Sequence, residues 1–422
     1  MATVKINEIV IKNGLPIRQP HAMVDYASRR GIITQHLPNQ LDLPSLDLGL
    51  GDSYFGPPQA MVHICKEILG SDIASPSMQF YPPDRFCEHP GKYIRETWRL
   101  PDNVNVVIGG EGSYGLLRDI IVNLPEITNG HEVGMLGIGP QFPNAAALTH
   151  LHGSEDHRWR FPYESHQPDL KMCYSDKVRS LCKYRESINQ GHRFVYVDNP
   201  NNPTGDHASL DSIRDLAIVT SERSDLLIID EAYSDTIPKH ESAINLVEEF
   251  DHMIVLRSLS KTVGLAGMRI GISIMSEPVG KVFDSLRLVF AIDGVRQQII
   301  NRLLNPYYFI KNGLEPLETH ISSVGDRIAF TKVPMREEIQ RLGYKVMPTH
   351  DRVPIMLIQG PDGFYDSLYQ YQIVVERGSD FAGTYPLDDS YVRMKVARSP
   401  GEMDEVTQRL GEIISKHNSK LI

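Results

Sequence analysis

The amino-acid sequence predicts an α/β protein with a mainly parallel central sheet, helices on both faces, and a smaller α+β unit at the C-terminal end. In the middle third of the chain, short apolar runs alternate with amphipathic segments, and each run ends in a cluster of Gly, Pro, Asn, Asp or Ser. Most of these runs are apolar throughout, which is typical of strands covered on both faces. The chain has 422 residues, which exceeds the usual size of a single domain. A smaller companion domain is therefore expected.

Six strands of the central sheet are predicted from these apolar runs. They cover residues 104–108, 132–137, 194–197, 226–229, 253–256 and 270–274. Between the third and fourth runs, Ile213, Leu216 and Ala217 recur at helical spacing, which indicates a connecting helix. The repeated order of strand, loop and helix favours an α/β sandwich.

The C-terminal segment has a different pattern. A strand is predicted at residues 391–396, followed by Ser399 as a helix N-cap, Pro400 in the first turn and Glu402 as the acid of a capping box. The apolar residues that follow share one helical face: Met403, Val406, Leu410, Ile413 and Ile414. This pattern predicts the closing helix of a smaller α+β domain.

We therefore divide the chain into three parts. Residues 1–48 are assigned to an N-terminal arm and part of the small domain, residues 49–315 to the large domain, and residues 316–422 to the C-terminal small domain. The sequence places the last boundary near residues 310–325. The chain has no internal repeat and no low-complexity segment.

Composition and charge exclude several classes of protein. Hydrophobic residues make up 41% of the chain and charged residues 23%, an ordinary balance for a protein with a substantial core. The net charge of -10 is spread along the sequence, which disfavours a nucleic-acid-binding surface. No stretch reaches the roughly 18 apolar residues of a membrane span, and interleaved charges at the N-terminus exclude an ordinary signal peptide. We expect a cytoplasmic protein that binds neither nucleic acid nor membrane.

The cysteines form neither a Cys-x-x-Cys pair nor the dense pattern of a secreted disulfide scaffold. They are Cys65, Cys87, Cys173 and Cys182. Reduced thiols are therefore expected, as in the cytosol, and a structural metal site is not.

The strongest chemical signal is the segment Ser258-Leu259-Ser260-Lys261, which directly follows the predicted strand 253–256. Open α/β sheets place their ligands at the carboxyl ends of strands. A lysine at such a position condenses with an aldehyde when burial or a nearby positive charge destabilises its ammonium form. Ser258 and Arg269 flank it with a hydroxyl and a guanidinium suited to a phosphate group. The alternative is a surface lysine in a Ser/Gly loop.

Polar residues also follow two neighbouring predicted strands. Asp230 comes directly after strand 226–229, with Tyr233 three residues further on. A carboxylate at that depth requires a cation, and a protonated pyridine nitrogen is one such cation. The alternative is an acid that pairs with a structural arginine or caps a helix. Asn202 lies in a proline-bounded segment after strand 194–197, which by itself is also consistent with a simple turn.

Together, the segments DNPNNPTG, DEAYSD and SLSKTVGLAGMRIG, in this order and spacing, resemble the class I/II aminotransferases, enzymes of fold type I that use pyridoxal 5'-phosphate (PLP). The resemblance extends from about residue 46 to the C-terminus, and it implies that residues 49–315 form the PLP-binding domain. It specifies the cofactor well and the substrate poorly.

The resemblance implies a role for each matching residue around the cofactor ring. Lys261 would form the internal aldimine and later carry the substrate proton. Asp230 would pair with the pyridine nitrogen and keep it protonated. Tyr233 and Asn202 match the positions that hydrogen-bond the phenolic oxygen of the ring. Phe142 matches the aromatic residue that stacks on the pyridine face, although a Phe after a strand is more often part of the core.

The resemblance also implies a phosphate site. Ser258 and Arg269 would hold the phosphate, and the turn containing Gly112 and Ser113 would cradle it at a helix N-terminus. Glu111 departs from the family pattern, because a carboxylate beside a phosphate is repulsive. It is expected either to point away or to have a role particular to this protein.

Substrate and subunit contacts follow from the same resemblance. Arg393 matches the arginine that grips the substrate α-carboxylate through a two-pronged contact, and Gly51 matches the glycine that lets the backbone approach the substrate. Tyr81 resembles the tyrosine that reaches the phosphate site of a neighbouring subunit, which would require a homodimer with shared active sites. Arg398 has no family counterpart, and a solvated charge at a helix start is the simpler interpretation.

The expected reaction is transamination of a small L-amino acid, the commonest outcome in this family. The alternative is a PLP-dependent lyase or cyclase that performs elimination and ring closure on a hydroxylated arginine-like substrate. It depends on Asp293, in segment 287–296, meeting a basic side chain, and an acid that faces solvent is the competing interpretation. A PLP-binding transcription regulator is excluded, because only about 45 residues precede the matched region and they lack helix-turn-helix patterning.

Overall fold

The computed structural model describes residues 46–49, 55–72, 74–82, 84, 88–123, 134–153, 163–188, 193–286 and 291–419. Gly51 and Cys87 lie outside these residues, as do most of the N-terminal arm and part of segment 287–296. Cys65, Cys173 and Cys182 are free thiols. Within the described part of the chain, no helix has the length and apolarity required to cross a membrane.

A seven-stranded sheet forms the centre of the molecule. Its strands are β2 (Val104–Gly109), β3 (Gly134–Ile138), β4 (Tyr163–His166), β5 (Arg193–Asp198), β6 (Leu226–Asp230), β7 (Met253–Ser258) and β8 (Gly271–Ser276), arranged in the order β2-β8-β7-β6-β5-β3-β4. The pairs from β4 through β3, β5 and β6 to β7 are all parallel, and β8 alone runs against its neighbours β7 and β2. The prediction of a mainly parallel sheet is confirmed.

Helices cover both faces of this sheet. In chain order they are α1 (Gln59–Leu69), α2 (Ala74–Gln79), α3 (Glu88–Trp98), α4 (Gly112–Val122), α5 (Pro143–Gly153), α6 (Tyr174–Ser187), α7 (Leu210–Glu222), α8 (Glu277–Leu286), α9 (Gly294–Leu303) and α10 (Pro306–Asn312). Alternate residues of β5 point to opposite faces, so Val195 and Val197 join one apolar cluster, while Phe194 and Tyr196 join another. Both faces are therefore buried, which explains the uninterrupted apolar runs of the strands.

A second, smaller sheet lies in the C-terminal part. It contains β9 (Lys345–Val346), β10 (Ile355–Gln359), β12 (Glu376–Arg377) and β13 (Tyr391–Lys395) in the order β12-β13-β10-β9, while β1 (Leu46–Asp47) pairs with β11 (Ile373–Val374) in a separate ladder. Helices α11 (Leu317–Arg341), α12 (Phe364–Gln370) and α13 (Pro400–Ser419) pack on it. Short 3-10 turns occur at Ser234–Thr236, Lys239–Glu241, Ala243–Leu246, Ala266–Met268 and Gly378–Phe381.

The long helix α11 contributes to two apolar cores. Leu317 and Ile321 pack against the core of the large sheet, whereas Val324 and Ile328 belong to the core of the small sheet. Leu46 also lies in the second core, next to its partner strand β11. The change from one core to the other therefore occurs within a helix, and our division at residues 315 and 316 stays a prediction.

Candidate active site

The carboxyl ends of β5, β6 and β7 lie side by side, because these strands are parallel neighbours. Each end carries residues that the sequence singled out. Asn202 follows β5, Asp230 ends β6, and Lys261 follows β7 within the loop that begins at Ser258. An open α/β sheet binds ligands at this edge, so we take it as the candidate active site.

Lys261 lies beside the two residues predicted to contact the same cofactor ring. Its Nζ is 5.0 Å from the centroid of the Tyr233 ring. Its positive charge also acts on the Asp230 carboxylate, whose pKa it lowers. The structure therefore brings together Lys261, Tyr233 and Asp230, which the sequence places up to 31 positions apart.

Asp230 is a buried carboxylate that is prepared for a cationic partner. Burial raises its pKa to about 6, while hydrogen bonds from Tyr196 and Ala232 and the charge of Lys261 act in the opposite direction. The Tyr196 hydroxyl donates to Oδ2 at 3.0 Å, and the Ala232 backbone N–H donates to Oδ1 at 3.0 Å. A cation such as a protonated pyridine would favour the ionised carboxylate at this depth.

Arg393 crosses from the small sheet into the site. It lies on β13, and its Nη1 donates to Asn202 Oδ1 at 2.9 Å while its Nη2 donates to the Gly49 carbonyl at 3.0 Å. Glu376, its register partner on β12, lies 3.5 Å from Nη2. The Arg393 Nε is buried and has no hydrogen-bond partner among the described residues. This Nε is the donor that remains for an additional anion such as a carboxylate.

The turn predicted to cradle a phosphate lies next to Arg269. Gly112 begins α4 with φ of +73°, and its N–H donates to the Arg269 carbonyl at 3.0 Å. The Arg269 Nη2 donates to the Glu111 carbonyl at 2.9 Å. A Cβ at Gly112 would lie 3.1 Å from that nitrogen, so the glycine allows the guanidinium to approach the turn. Ser113 follows as the second residue of α4.

The Glu111 side chain points away from this turn. Its Oε2 lies 2.5 Å from Nη1 of Arg118, which is about two turns further along α4. More than half of the Glu111 side chain is exposed. The departure from the family pattern is therefore neutralised locally, because the carboxylate pairs with an arginine of its own helix.

The Lys261 loop contains buried hydroxyls that form no hydrogen bond with any other described residue. Ser258 is buried, and its Oγ accepts a hydrogen bond from the Ser260 N–H at 3.2 Å. Ser260 Oγ and Thr262 Oγ1 are also buried, and neither has a partner within the described part of the chain. Buried polar atoms are almost always satisfied, so unpaired hydroxyls beside Lys261 fit a loop that holds a polar ligand.

Sequence reasoning missed a second strand-end carboxylate, that of Asp198. It is the register neighbour of Asp230, and its Oδ2 accepts hydrogen bonds from the Phe142 N–H at 2.9 Å and the Asn202 N–H at 3.0 Å. The same signal that identified Asp230, an acid at the end of an apolar strand, is present at Asp198. Tyr196, which donates to Asp230, gave no such signal, because an alternating position within a strand is also an ordinary core position.

The contacts of three further predicted residues were not found in this cluster or are not described. Tyr81 is 82% exposed, and Gly51 is outside the described residues. Asp293 is the N-cap of α9, where Oδ1 accepts from the Arg296 N–H at 2.9 Å and Oδ2 pairs with the Arg296 side chain at 2.5 Å. Both oxygens are thereby engaged within the helix, so Asp293 caps α9, and its contact with a substrate stays a prediction.

Arg398 contacts the first turn of the closing helix. Its Nη2 lies 2.5 Å from Glu402 Oε1, and Glu402 Oε2 accepts the Arg398 N–H at 2.5 Å. The Ser399 Oγ accepts the Glu402 N–H at 3.3 Å. The serine half of the predicted capping box is thus formed, whereas Glu402 accepts from the N–H of Arg398, one residue before the N-cap. The Arg398 side chain is about half exposed beside it.

The site fits an aldehyde cofactor that carries a ring nitrogen and a phosphate. A lysine, a buried acid and a phenol meet at one strand edge, with unpaired buried hydroxyls on the lysine loop. A glycine turn at a helix N-terminus, with an adjacent arginine, matches the chemistry of phosphate binding.

Comparison with known proteins places this site in a family context. The profile of the class I and II aminotransferases matches residues 136–410. A histidinol-phosphate aminotransferase of Halorubrum lacusprofundi is 43% identical over 101 residues, which cover 24% of this chain and 27% of that protein. The matches to two further histidinol-phosphate aminotransferases cover 58% and 63% of their lengths. The chain thus spans less than two thirds of each of these curated relatives.

Solved structures match over nearly their whole length. The crystal structure of the histidinol-phosphate aminotransferase from Clostridium acetobutylicum aligns with a TM-score of 0.69 and 18% identity, covering 88% of this chain and 99% of that one. The structure of an L-threonine-O-3-phosphate decarboxylase from Porphyromonas gingivalis aligns with a TM-score of 0.66 and 14% identity, covering 88% and 99%. At these identities the likeness shows the shared fold, which therefore accommodates more than one reaction.

Proposed function

This chain belongs to the class I and II aminotransferases, and from that premise we propose that it is a PLP-dependent aminotransferase acting at the α-carbon of a small L-amino acid. The observation that carries the proposal is the position of Lys261. Its amine lies 5.0 Å from the Tyr233 ring centroid and acts electrostatically on the buried Asp230. An amine, a phenol and a buried acid at one strand edge are what this cofactor chemistry requires.

When bound, PLP supplies an electron-accepting ring that makes the proton on the substrate α-carbon removable. In our proposal Lys261 would hold the cofactor covalently in the resting enzyme, and its Nζ would then take that proton from Cα and deliver it to the cofactor carbon that bore the aldehyde. Asp230 keeps the ring nitrogen protonated, because the two opposite charges stabilise each other in a buried site. Tyr233 and Asn202 donate hydrogen bonds to the ring oxygen.

The remaining residues bind and orient. Ser258 and Arg269, together with Gly112 and Ser113 at the start of α4, hold the phosphate. Phe142 covers one face of the ring.

Arg393 binds the substrate carboxylate in our proposal. It already contacts Asn202, so a single contact links substrate recognition with the ring site. Gly51 is assigned to the approach of the backbone towards the substrate by family resemblance alone.

The amino donor is the least constrained part of the proposal. Histidinol phosphate is tested beside the L-amino acids, because curated relatives carry the name histidinol-phosphate aminotransferase. It has no carboxylate, so in our proposal its phosphate group would take the place of the carboxylate at Arg393. A homodimer with shared active sites, to which Tyr81 contributes, and a cytoplasmic location belong to the same proposal. The exposure of Tyr81 on the single chain supports it.

The alternative reaction, elimination and ring closure on an arginine-like substrate, loses the feature on which it depended. Both oxygens of Asp293, the N-cap, contact Arg296 three positions further along the chain. A carboxylate engaged in this way is poorly placed to receive a substrate guanidinium, so transamination is the better-supported reaction.

The test is to incubate the PLP-loaded protein with histidinol phosphate and a panel of single L-amino acids, with and without a keto-acid acceptor. Mass spectrometry of the products should show transfer of the amino group to the acceptor. Borohydride treatment should attach the cofactor to the peptide that contains Lys261. Lys261→Ala should reduce amine transfer by at least about 10³-fold, because the removed amine both holds the cofactor and moves the proton.

Lys281→Ala is the matched control, because Lys281 forms an exposed salt bridge with Glu277 on α8 and should retain wild-type activity. A product released without any acceptor would identify a lyase. A cofactor adduct on another lysine would show that the site is wrong.

A further inference from the structure

Asp198 is a buried acid that the proposed chemistry leaves without a role. It ends β5, it is 3% exposed, and it pairs in register with Asp230 on β6. An isolated buried carboxylate is costly unless it is hydrogen-bonded. Its contacts therefore show what it is retained to hold.

Four donors converge on the Asp198 carboxylate. Oδ1 accepts from the Tyr174 hydroxyl at 3.1 Å and from Asn201 Nδ2 at 2.9 Å. Oδ2 accepts from the Phe142 N–H at 2.9 Å and from the Asn202 N–H at 3.0 Å. The donors come from the loop after β3, the loop after β5 and the first residue of α6. One side chain thus joins three separate segments.

Only a carboxylate can serve all four donors in this arrangement. An asparagine has one acceptor oxygen, and its NH2 group would face a pair of donors. The two backbone N–H groups on Oδ2 are fixed donors, so they require an acceptor at that position. Loss of the acceptor would leave the N–H groups of Asn202, which is buried, and of Phe142, which is partly buried, without the carboxylate that joins the two loops.

Burial raises the pKa of Asp198 to about 8, and the nearby charge of Asp230 also raises it, while the donors from Asn202, Phe142 and Asn201 lower it. Oδ2 accepts in either protonation state that keeps these contacts, because both of its partners are backbone N–H groups, which can only donate.

We propose that Asp198 is a positioning residue that fixes the separation between Phe142 and Asn202. This inference rests on the proposed function, in which Phe142 covers the cofactor ring and Asn202 binds the ring oxygen. A single carboxylate then sets the distance between Phe142, at the face of the ring, and Asn202, at its edge. Since Asn202 also accepts from Arg393, the same carboxylate helps to place the guanidinium that binds substrate.

Asp225 provides a matched control at the opposite end of the same two strands. It is also 3% exposed, its oxygens accept from Arg185 Nε at 2.7 Å and Nη2 at 2.9 Å, and Oδ1 accepts the Arg193 N–H at 2.8 Å. It therefore joins the amino end of β5 to the segment before β6, far from the ligand edge. Its loss reports what any hydrogen-bonded buried carboxylate contributes to stability.

The experiment compares Asp198→Asn, Asp198→Glu and Asp225→Asn as purified full-length proteins. Three quantities are measured: the dissociation constant of PLP, the visible circular dichroism of the bound cofactor, and the urea midpoint of unfolding. Wild-type protein is measured first, so that failure to bind PLP there would reject the proposed function independently of Asp198.

Both asparagine variants should lower the urea midpoint. Asp198→Asn should in addition weaken PLP binding at least tenfold and alter the visible circular dichroism, whereas Asp225→Asn should leave both within twofold of wild type. Asp198→Glu keeps two acceptor oxygens and displaces them by one methylene, so it should retain the fold and still alter the circular dichroism. If Asp198→Asn does not fold, Asp198→Glu alone tests whether Asp198 positions Phe142 and Asn202.

Wild-type affinity and circular dichroism in both Asp198 variants that fold would overturn the proposal. An equal effect of Asp225→Asn on the cofactor signals would overturn it as well, because the role would then be purely structural.

Discussion

Asp230 and Asp235 are two buried acids, five positions apart, that differ mainly in their partners. Burial raises the pKa of each to about 6. Asp235 Oδ1 accepts from Arg257 Nη2 at 3.0 Å, so its charge is compensated by the protein. Asp230 has hydroxyl and backbone donors and, at longer range, the charge of Lys261. Its compensating cation is therefore expected to be the cofactor ring.

This difference predicts the effect of Asp230→Asn. Removing one member of a buried charge pair costs about 2–5 kcal/mol, so the rate of amine transfer should fall on the order of 10²- to 10³-fold. The measurement is kcat for the best amino donor, together with PLP affinity.

Asp235→Asn is the control for that prediction. It removes a neighbouring buried acid whose partner is Arg257, so it should destabilise the protein while kcat stays within tenfold. Similar losses of kcat in the two variants would contradict the assignment of Asp230 to the ring nitrogen.

At the residue scale, the sequence identified those side chains whose chemistry is unusual for their position. Lys261 and Asp230 stand at the ends of apolar strands, where a charge needs a partner. Asp198 has the same signal, yet two of its partners, the Phe142 N–H and the Tyr174 hydroxyl, come from segments far away in sequence, and no residue pattern encodes these contacts. Asp293 was assigned from a family position, whereas a local rule, the N-cap preference for Asp, accounts for its contacts.

At the scale of elements, the strands and the mainly parallel sheet were predicted, whereas the antiparallel direction of β8 was not. The predicted run 253–256 extends to Met253–Ser258, and run 270–274 corresponds to Gly271–Ser276. β8 is antiparallel to both neighbours, although its apolar sequence resembles that of the parallel strands. Direction depends on the connection, and the short Lys261 loop between β7 and β8 has no helix long enough for a parallel crossover.

The loop that follows β5 contains a histidine held in its neutral form. His207 is buried, its ring centroid lies 6.0 Å from that of His350, and Glu241 Oε2 lies 3.5 Å from its Nδ1. Burial, with a smaller contribution from the charge of His350, lowers the pKa of His207 to about 4. Burial also lowers the pKa of His350.

This depressed pKa predicts a loss of stability in acid. Between about pH 6.5, the ordinary pKa of histidine, and about pH 4, the unfolded chain binds a proton at residue 207 that the folded chain does not. Stability therefore falls as the pH drops through this window, by about 2 kcal/mol between pH 7 and pH 5 for this group. His207→Gln does not titrate, so its urea midpoint should change less between these pH values than that of wild type. Equal changes would contradict the prediction.

At the scale of the whole molecule, the active site forms where the two cores meet. Arg393 belongs to the small sheet and contacts Asn202, which is 191 positions away in sequence. Spacing alone gives no reason for this contact, and the family resemblance predicted only that both residues belong to the same site. The physical cause is tertiary: the turn before β10 packs on the loop after β5, where the His350 N–H donates to the Gly205 carbonyl at 2.9 Å.

A buried lysine stabilises that turn. Lys332 of α11 is fully buried, and its Nζ donates to Thr349 Oγ1 at 2.6 Å and to the carbonyls of His350, Val353 and Ile355 at 2.7–2.8 Å. Burial lowers its pKa well below the usual range. The turn is therefore joined to α11 by four hydrogen bonds, which oppose a displacement of the turn at Gly205.

Gly205→Ala tests this contact between the cores. Gly205 has φ of +73°, and an added Cβ would overlap the Ile355 carbonyl oxygen and lie 2.8 Å from Thr349 Oγ1. The left-handed conformation costs alanine about 1–2 kcal/mol, and overpacking against a fixed backbone adds about 1–3 kcal/mol. Gly313→Ala is the matched control, because Gly313 has φ of +61° and open space around it, so it should show the first cost alone.

Since Asn202 and Arg393 come from opposite sides of this contact, Gly205→Ala should also raise the KM for the amino donor several-fold, whereas Gly313→Ala should leave it unchanged. Equal urea midpoints and KM values for the two variants would mean that the cores do not meet at Gly205.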